Sequence, residues 1–358
     1  MASPPVHRNS LPFPKSSVKD LSESTNLTSV PSNYAFPPQD NISTDPVISQ
    51  KIPTIDFSLL TSATPDQRSQ IVCDLGRACR EWGFFMLINH GVEKSVRERM
   101  LDTCRAFFDL LEAEKREYIG KHVLDPIRYG TSFNPAAEKA MYWRDYLKVI
   151  VHPVFHSADK PAGFREASLE YCTKIREVAK ELLRGISESL GLEDCYIDKA
   201  LQLEAGLQIL VANLYPNCPQ PELAMGMPPH SDHGLLTILM QNEVGGFQLQ
   251  HKGKWVHVDP LPNSFLVNTG DHMEILSNGM YKSVLHRAVV NNKSTRISIG
   301  IAHGPSLDAT VAPAPQLVDN ENHPPAYRGM KYRDYIDIQQ NNQLNGKSCL
   351  DLVRTLNV

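Results

Sequence analysis

The sequence predicts an α+β fold with a mainly β core, which helices buttress from both ends of the chain. From Gly206 onward, short runs rich in β-branched and aromatic residues follow one another, with Gly, Pro and Asn between them. Before that point, and again near residue 332, apolar residues recur at helical spacing. Many short strands in succession are typical of a sandwich or barrel. We therefore expect one such core between two helical regions.

Residues 1–50 are rich in Ser, Pro and Asn and show little periodicity, so we expect a flexible N-terminal arm. We assign this arm no part in a functional site. A plastid transit peptide is the weaker interpretation, because Asp20 and Glu23 lie in it and no Arg-rich amphipathic stretch is present.

Residues 51–205 predict a helical region with short strands. Thr64 can cap a helix, Pro65 suits its first turn, and Gln67 completes a capping box. Gly83 can take the left-handed conformation that ends this helix. The other predicted elements of the region are strands at 52–57 and 84–88, two helical stretches near 93–118 and a further helix near 166–190.

Residues 206–330 predict the β core, and residues 331–358 a C-terminal helix and tail, with the helix at 332–340. Turn-forming residues separate the predicted strands of the core. These strands are 207–215, 235–241, 246–251, 254–258, 264–268, 282–290 and 296–302.

Charge and cysteine usage narrow the class of protein. The formal charge is −4, and the 36 basic and 40 acidic residues form no basic stripe, so we expect neither nucleic acid nor a membrane as a partner. No apolar run approaches about 18 residues, and the first thirty residues lack the apolar core of a signal peptide. The seven cysteines form no CxxC pair, which favours reduced thiols. We expect a monomer in the cytoplasm.

His230, Asp232 and His286 are the strongest candidates for a metal site. Residues two apart on a strand share a face, so His230 and Asp232 can reach one ion. Two imidazoles and one carboxylate occupy one face of an octahedral metal and leave the other face open, as in non-haem Fe(II) oxygenases. A single buried histidine is more often structural, but burying three such groups together without a metal would be costly. The other histidines have no second ligand at a suitable spacing.

Arg296 and Ser298 form a second pair on one strand face, among isoleucines that point the other way. A buried guanidinium requires an anion, and its forked donors suit a carboxylate. The partner could be a protein acid, but Ser298 offers a second donor and favours a bound carboxylate. Asn213 and Tyr215 share a face at the end of their strand and would add polar contacts.

Several segments resemble the plant soluble 2-oxoglutarate/Fe(II)-dependent dioxygenases, a family whose members oxidise flavonoids, coumarins, alkaloids and hormones. The likeness runs from about residue 50 to 355, and RYGTSF (128–133) and WRDYLKV (143–149) are similar to coumarin-forming members. The segments that carry it are EWGFFMLINHG (81–91), NLYPNCPQPELAMG (213–226), HSDHGLLTILMQN (230–242), GGFQL (245–249), GDHMEILSNGMYKSVLHRAVV (270–290) and RISIG (296–300).

This resemblance implies a double-stranded β-helix, or jelly-roll, that holds Fe(II) on His230, Asp232 and His286. It also implies that 2-oxoglutarate chelates the iron and that its far carboxylate meets Arg296 and Ser298, helped by Tyr215 and Asn213. O2 would be the oxidant and ascorbate the reductant. The implied reaction is oxidation, with hydroxylation as the expected outcome, of a small plant specialised metabolite, while 2-oxoglutarate becomes succinate and CO2.

Two other functions stay open. An oxidase of the 1-aminocyclopropane-1-carboxylate oxidase type shares these residues but uses ascorbate, and a catalytically silent homologue would keep the pocket and only bind a small molecule. The substrate classes considered are an alkaloid, a phenylpropanoid or coumarin, a flavonoid and a terpenoid.

Two positions depart from the flavonoid-oxidising relatives. Leu214 replaces a tyrosine, but by strand parity its side chain points away from the site. Ala302 stands where those relatives place an aromatic side chain that stacks on the substrate. Together with Gly300 it leaves the wall small, which favours a bulkier substrate such as an alkaloid or a terpenoid.

Overall fold

The computed structural model confirms the predicted α+β class and its jelly-roll core. It describes residues 16–24, 27–36, 47–49, 51–120, 122–132, 138, 140–319, 321–341 and 346–355. Two sheets form the β core, and the pocket described below is lined by residues from both of them. No helix in the described part of the chain has the length and hydropathy needed to cross a membrane.

The described elements follow in chain order. In the first part of the chain they are α1 (Val18–Ser22), β1 (Val47–Ser49), β2 (Thr54–Asp56), α2 (Ser58–Thr61), α3 (Pro65–Glu81), β3 (Phe84–Ile88), α4 (Lys94–Phe108), α5 (Glu112–Arg116), β4 (Ile127–Gly130), β5 (Asp145–His152), α6 (Phe164–Ser189) and α7 (Tyr196–Leu201). The remainder are β6 (Gly206–Tyr215), β7 (Met227–His230), β8 (Leu236–Gln241), β9 (Phe247–His251), β10 (Lys254–Val258), β11 (Phe265–Thr269), α8 (Asp271–Leu276), β12 (His286–Ala288), β13 (Arg296–Ser306), β14 (Thr310–Val311), β15 (Met330–Lys331), α9 (Tyr332–Asn341) and α10 (Ser348–Val353).

The larger sheet has eight strands in the order β2-β3-β11-β8-β13-β6-β5-β4, and the smaller has five in the order β1-β10-β9-β12-β7. Strands β13 and β6 are the longest and lie side by side, in a register that sets Arg296 opposite Tyr215 and Ser298 opposite Asn213. Because alternate residues of a strand point to the same face, the paired residues of β5, β6, β13 and β8 form rows of side chains across the sheet. These rows form the floor of the pocket.

The predicted start and end of α3 are confirmed. The Thr64 hydroxyl accepts a hydrogen bond from the backbone N–H of Gln67, and the Gln67 side chain accepts one from the backbone N–H of Thr64. Gly83 has a φ of +62°, and a Cβ there would lie 2.3 Å from the carbonyl oxygen of Lys282. Glycine is therefore required for this turn. Helix α6 packs against α3 and α4 and supports the larger sheet.

Two strand predictions differ from the structure, and one hairpin was not predicted. The run 282–290 forms a ladder only at His286–Ala288, where the pairing with β7 contains an irregularity. Strand β13 continues to Ser306 after a similar irregularity beyond His303. The hairpin of β4 and β5 extends the larger sheet beyond β6.

The described part of the predicted flexible arm is packed on the core. The carboxylate of Asp145 accepts hydrogen bonds from the backbone N–H groups of Val18 and Lys19, at 2.9 and 2.8 Å, and so caps α1. Tyr34 packs edge-to-face against Trp143 at 5.4 Å, and both side chains are buried. Composition did not reveal this docking, because it depends on partners more than a hundred residues away.

The C-terminal segment is tied to the core through one buried carboxylate. Glu274 accepts hydrogen bonds from Tyr327, Lys347 and Arg354, each at 2.7–2.9 Å. The backbone of Gly346 also bridges to the strand that ends at His230. Helix α9, which precedes Gly346 in the chain, contributes Gln339 to the lining of the pocket.

Candidate metal and co-substrate site

Neighbouring strands of the smaller sheet bring the two histidines together. His286 on β12 lies directly opposite His230 on β7, and their ring centroids are 4.1 Å apart. Asp232 was expected on the same strand as His230, but β7 ends at His230 and Asp232 lies in the loop that follows. That loop is fixed because the Asp232 carbonyl accepts a hydrogen bond from the Asp271 N–H at 2.7 Å. The three ligand atoms lie within 4.8 Å of one another.

Backbone carbonyls select the imidazole tautomer. The Nδ1 atom of His230 lies 2.8 Å from the Pro228 oxygen, and that of His286 lies 3.1 Å from the Val284 oxygen. A carbonyl oxygen can only accept, so each Nδ1 carries the proton. In the neutral ring, each Nε2 atom then carries a free electron pair. These two atoms lie 3.8 and 3.6 Å from the Asp232 Oδ1 atom.

Electrostatics keep His230 and Asp232 in the state that binds a metal. Burial, and then the neighbouring His286, lower the pKa of His230 to about 3. Burial alone would raise the pKa of Asp232, but His286, His230 and a hydrogen bond from Asn268 more than offset it and bring this pKa to about 2. The Asn268 amide donates to Asp232 Oδ2 at 2.9 Å and so orients the carboxylate. A neutral imidazole beside an ionised carboxylate is the form in which both can be ligands.

The residues present fit a divalent metal of the iron class. Two imidazole nitrogens and one carboxylate oxygen converge. The atoms that face one another are Nε2 of each histidine and Oδ1 of Asp232, and the hydrogen bonds of the two rings use Nδ1 instead. Three ligands on one side leave the remaining positions of an octahedral ion open toward the pocket, which the same three residues line.

Arg296 lies in the same pocket, buried and incompletely paired. Its Nε and Nη2 atoms donate to the Gln241 side-chain oxygen at 3.2 and 2.8 Å, and its guanidinium lies 4.9 Å from the Tyr215 ring. The Nη1 atom is buried and has no hydrogen-bond partner. Burial lowers the pKa of Arg296, yet an arginine stays charged. This orphaned donor matches an anionic ligand in the pocket, and the described contacts of Arg296 include no protein acid, which was the alternative partner.

Ser298, Asn213 and Tyr215 line the pocket with Arg296. Ser298 follows Arg296 on the same face of β13 and lies opposite Asn213. The side-chain oxygen of Asn213 accepts a hydrogen bond from Arg144 at 2.9 Å, which leaves its amide N–H groups for a ligand. The structure thus brings all four residues of the predicted carboxylate site to one surface.

The small wall predicted at Gly300 and Ala302 also lines the pocket. A Cβ placed on Gly300 would lie 3.6 Å from the nearest atoms, which belong to Leu239 and Thr237, so the position would accept a methyl group in ordinary van der Waals contact. Leu214 packs in the hydrophobic core and is not a lining residue, in agreement with its parity.

Sequence reasoning missed four polar residues around the pocket. Asn268 and Gln241 hold Asp232 and Arg296, while Lys148 lies on β5 and Arg144 lies immediately before it. Parity could have found Gln241, because it lies on β8 opposite Ser298. The strand β5 had no clear alternation of polar and apolar residues, so these two cations carried no local signal.

A jelly-roll with two histidines, a carboxylate and a nearby buried arginine defines the class of non-haem iron oxygenases. Residues 206–305 match the 2OG-Fe(II) oxygenase superfamily, and residues 52–169 match the N-terminal family described as non-haem dioxygenase in morphine synthesis. "2-oxoglutarate-dependent dioxygenase 19" of Oryza sativa subsp. japonica is 47% identical over 309 residues, which cover 86% of this chain and 91% of that protein.

Two further comparisons agree. "Flavanone 3-dioxygenase 2" of Oryza sativa subsp. japonica is 37% identical, over 90% of this chain and 95% of its own length. The crystal structure of JOX2 in complex with 2OG, Fe and JA superposes with a TM-score of 0.83 at 31% identity, covering 97% of this chain and all of that one. This chain belongs to the 2OG-Fe(II) oxygenase superfamily, and it is an enzyme that uses Fe(II) and 2-oxoglutarate.

Proposed function

We propose that His230, Asp232 and His286 hold the iron and that Arg296 and Ser298 bind the far carboxylate of 2-oxoglutarate. The observation that carries this assignment is the buried, unpartnered Nη1 of Arg296, which lies in the same pocket as the three converging ligand atoms. A dicarboxylic acid can reach both places at once. Tyr215 and Asn213 complete its binding surface.

Each side chain then has a defined part in the reaction. Bound Fe(II) supplies the activation of O2, coupled to conversion of 2-oxoglutarate to succinate and CO2. The Nδ1 hydrogen bonds of His230 and His286 fix both rings, so that little reorganisation is needed when the metal binds. Arg296 neutralises a carboxylate in a site of low dielectric, where the attraction is strong. The apolar floor keeps water from the substrate carbon.

The substrate that we assign is a small specialised metabolite, and the expected outcome is its hydroxylation. The support is the pocket, which has an apolar floor and small side chains at Gly300 and Ala302, together with the flavanone oxidation named for one relative. We further propose that ascorbate maintains the reduced iron and that the enzyme is a cytoplasmic monomer. All seven cysteines are free thiols, which supports a reducing compartment.

Anaerobic metal binding and co-substrate turnover test this assignment together. The purified chain should retain one Fe(II) after dialysis and form succinate in step with oxidised product across flavonoid, coumarin, alkaloid and terpenoid panels. Succinate formation also separates this reaction from that of an ascorbate-using oxidase. His257→Ala is the matched control, because His257 is exposed on β10, and it should retain iron. Product without succinate, or iron retention that survives the loss of His230 and His286, would contradict the proposal.

A further inference from the structure

A second group of cations lies in the pocket, away from Arg296. Arg128 on β4 and Lys148 on β5 are directly opposite each other, and Arg144 lies at the start of the same hairpin. All three line the pocket. Among the lining residues that the structure describes, Asp232 is the one carboxylate, and the Asn268 amide and the two histidines already surround it.

Lys148 is the cation of this group that lacks a partner. It forms no hydrogen bond and no ion pair with any described residue, although it is half-buried. Lys115 shows the contrast, since its buried ammonium donates to the Phe108 carbonyl and pairs with Glu112 at 3.4 Å. Burial, and then the charge of Arg128, lower the pKa of Lys148 to about 7. An unpartnered ammonium in such surroundings costs free energy that a bound anion would offset.

The other two cations of the group, Arg128 and Arg144, differ from Lys148 in how they are paired. Arg144 is engaged in part, because it donates to Asn213 and its guanidinium lies 5.1 Å from the Tyr146 ring, although its Nε atom is buried without a described partner. Arg128 takes part in a contact of its own and adds positive potential beside Lys148. Lys148 is therefore the cation of the three whose charged group has no described contact, and it lies near enough to contribute to the lowered pKa of His233.

Lys148 lies apart from Arg296 in the pocket. The two Cα positions are separated by two strand spacings across the sheet and four residues along it, a distance of about 16 Å. The row of residues between them consists of Tyr146, Asn213 and Ser298. The row that starts at Lys148 continues across the sheet through Val211, Gly300 and Leu239.

We propose that the substrate is an organic acid whose carboxylate binds the Lys148 ammonium while its apolar body lies over Gly300 and Ala302, facing the metal ligands. This inference rests on the proposed function and narrows its substrate class. An anion at Lys148 and an apolar surface beside it would select for a molecule with one charged end. It would disfavour the neutral ester or amide of the same skeleton, because the ammonium would then stay without a counter-charge.

Paired ligands that differ only in charge test this inference by calorimetric titration of the anaerobic Fe(II)/2-oxoglutarate enzyme. The probes are cinnamate, indole-3-acetate and a monocyclic terpenoid acid, each beside its primary amide. At least one acid should bind at least tenfold more tightly than its amide, as expected for a charge-assisted contact. Lys148→Met should remove this preference, whereas Lys148→Arg should retain most of it.

Lys94→Met is the control, since Lys94 lies exposed on α4 with its side chain 72% accessible, and it should keep the wild-type preference. Equal binding of every acid and its amide to the wild-type enzyme overturns the inference, as does an unchanged preference in Lys148→Met. A wild-type enzyme that binds neither Fe(II) nor 2-oxoglutarate would instead overturn the proposed function, so the two failures are distinguishable.

Discussion

The two ends of the pocket differ in how completely their polar groups are paired. At the proposed oxidant end, formed by His230, Asp232, His286, Arg296 and Ser298, the three candidate metal ligands are held by protein atoms such as the Pro228 carbonyl and the Asn268 amide, and Nη1 of Arg296 is left for a ligand. At the proposed substrate end, formed by Lys148, Val211, Gly300 and Ala302, the ammonium has no described partner and the neighbouring residues are small or apolar. The protein has organised one end in advance and left the other for its ligand to complete.

This difference separates reaction from specificity. Preorganised ligands reduce the reorganisation needed when iron and co-substrate bind, so the same arrangement can serve many substrates. A surface whose polar groups lack protein partners is selective, because it favours the substrates that supply those partners. Substitutions at the oxidant end should therefore affect every substrate alike, whereas those at the substrate end should change the ranking of substrates.

The largest effect is expected for Asp232→Ala at the oxidant end. Loss of the carboxylate leaves two imidazoles, which should not retain Fe(II), so turnover should fall to background while the circular dichroism spectrum stays unchanged. Succinate assays and iron analysis measure both effects. Retained product formation in the anaerobically iron-loaded variant would remove Asp232 from the ligand set.

Arg296→Lys should raise the KM for 2-oxoglutarate by roughly tenfold to a hundredfold, because an ammonium cannot make a forked contact to a carboxylate. Direct titration with 2-oxoglutarate should show the same change in Kd. Arg80→Lys on the exposed surface of α3 is the control and should leave both values as in the wild type. An unaltered co-substrate requirement in Arg296→Lys would break the proposed division between the two ends.

Asn268→Ala tests how much of the preorganisation comes from a residue that orients the Asp232 carboxylate. Without its hydrogen bond the Asp232 carboxylate is free to rotate, and metal affinity should fall about tenfold, the lower range for residues behind a ligand. Competition with a chelator measures this affinity. Because Asn268 acts only through Asp232, the KM for 2-oxoglutarate at saturating iron should change little. A change confined to that KM would assign Asn268 a different role.

Ala302→Phe tests the substrate end. The added ring would fill space over the apolar floor and should raise the KM of bulky substrates roughly fivefold to tenfold, the lower range for overfilling a packed site. The ratio of substrate KM to 2-oxoglutarate KM is the informative quantity, because a general disturbance would move both. A planar substrate should lose less than a bulky one, and a uniform loss would argue against a steric wall at this position.

Thr64→Ala should give the smallest effect, because Thr64 lies outside both ends of the pocket. Loss of the cap on α3 should lower the free energy of unfolding by about 1 kcal/mol. Denaturant unfolding measures this change. Both KM values should stay as in the wild type, and a shift in either would couple the helical layer to the pocket.

The sequence predicted the oxidant end better than the substrate end for a physical reason. In the proposed assignment, His230, Asp232, His286, Arg296 and Ser298 are recognisable because the chemistry of a metal and a dicarboxylate sets their residue types and spacing. Strand parity also worked for Ser298 and Asn213, which lie opposite each other. Parity also predicted that His230 and Asp232 lie close together, but Asp232 is not on the strand. A loop held by Asp271 positions its carboxylate.

The substrate end depends on contacts between distant segments. Lys148 lies in the pocket because β5 pairs with β4 and β6, and the residues near 144–148 show no clear alternation of polar and apolar side chains that would indicate that strand. The packed part of the arm was missed likewise, because its helix is capped by a carboxylate from β5 and not by its own sequence alone. Local patterns report secondary structure, but they do not report which distant strand lies beside it.

The cap on α1 also constrains the order of events during synthesis. Val18 and its partner Asp145 are 127 residues apart, and a ribosome that adds 5–20 residues per second needs roughly 6–25 s to cover that interval. Throughout this time α1 lacks the carboxylate that caps it, and Tyr34 lacks the Trp143 ring against which it packs. Docking of this part of the arm therefore has to follow the synthesis of β5.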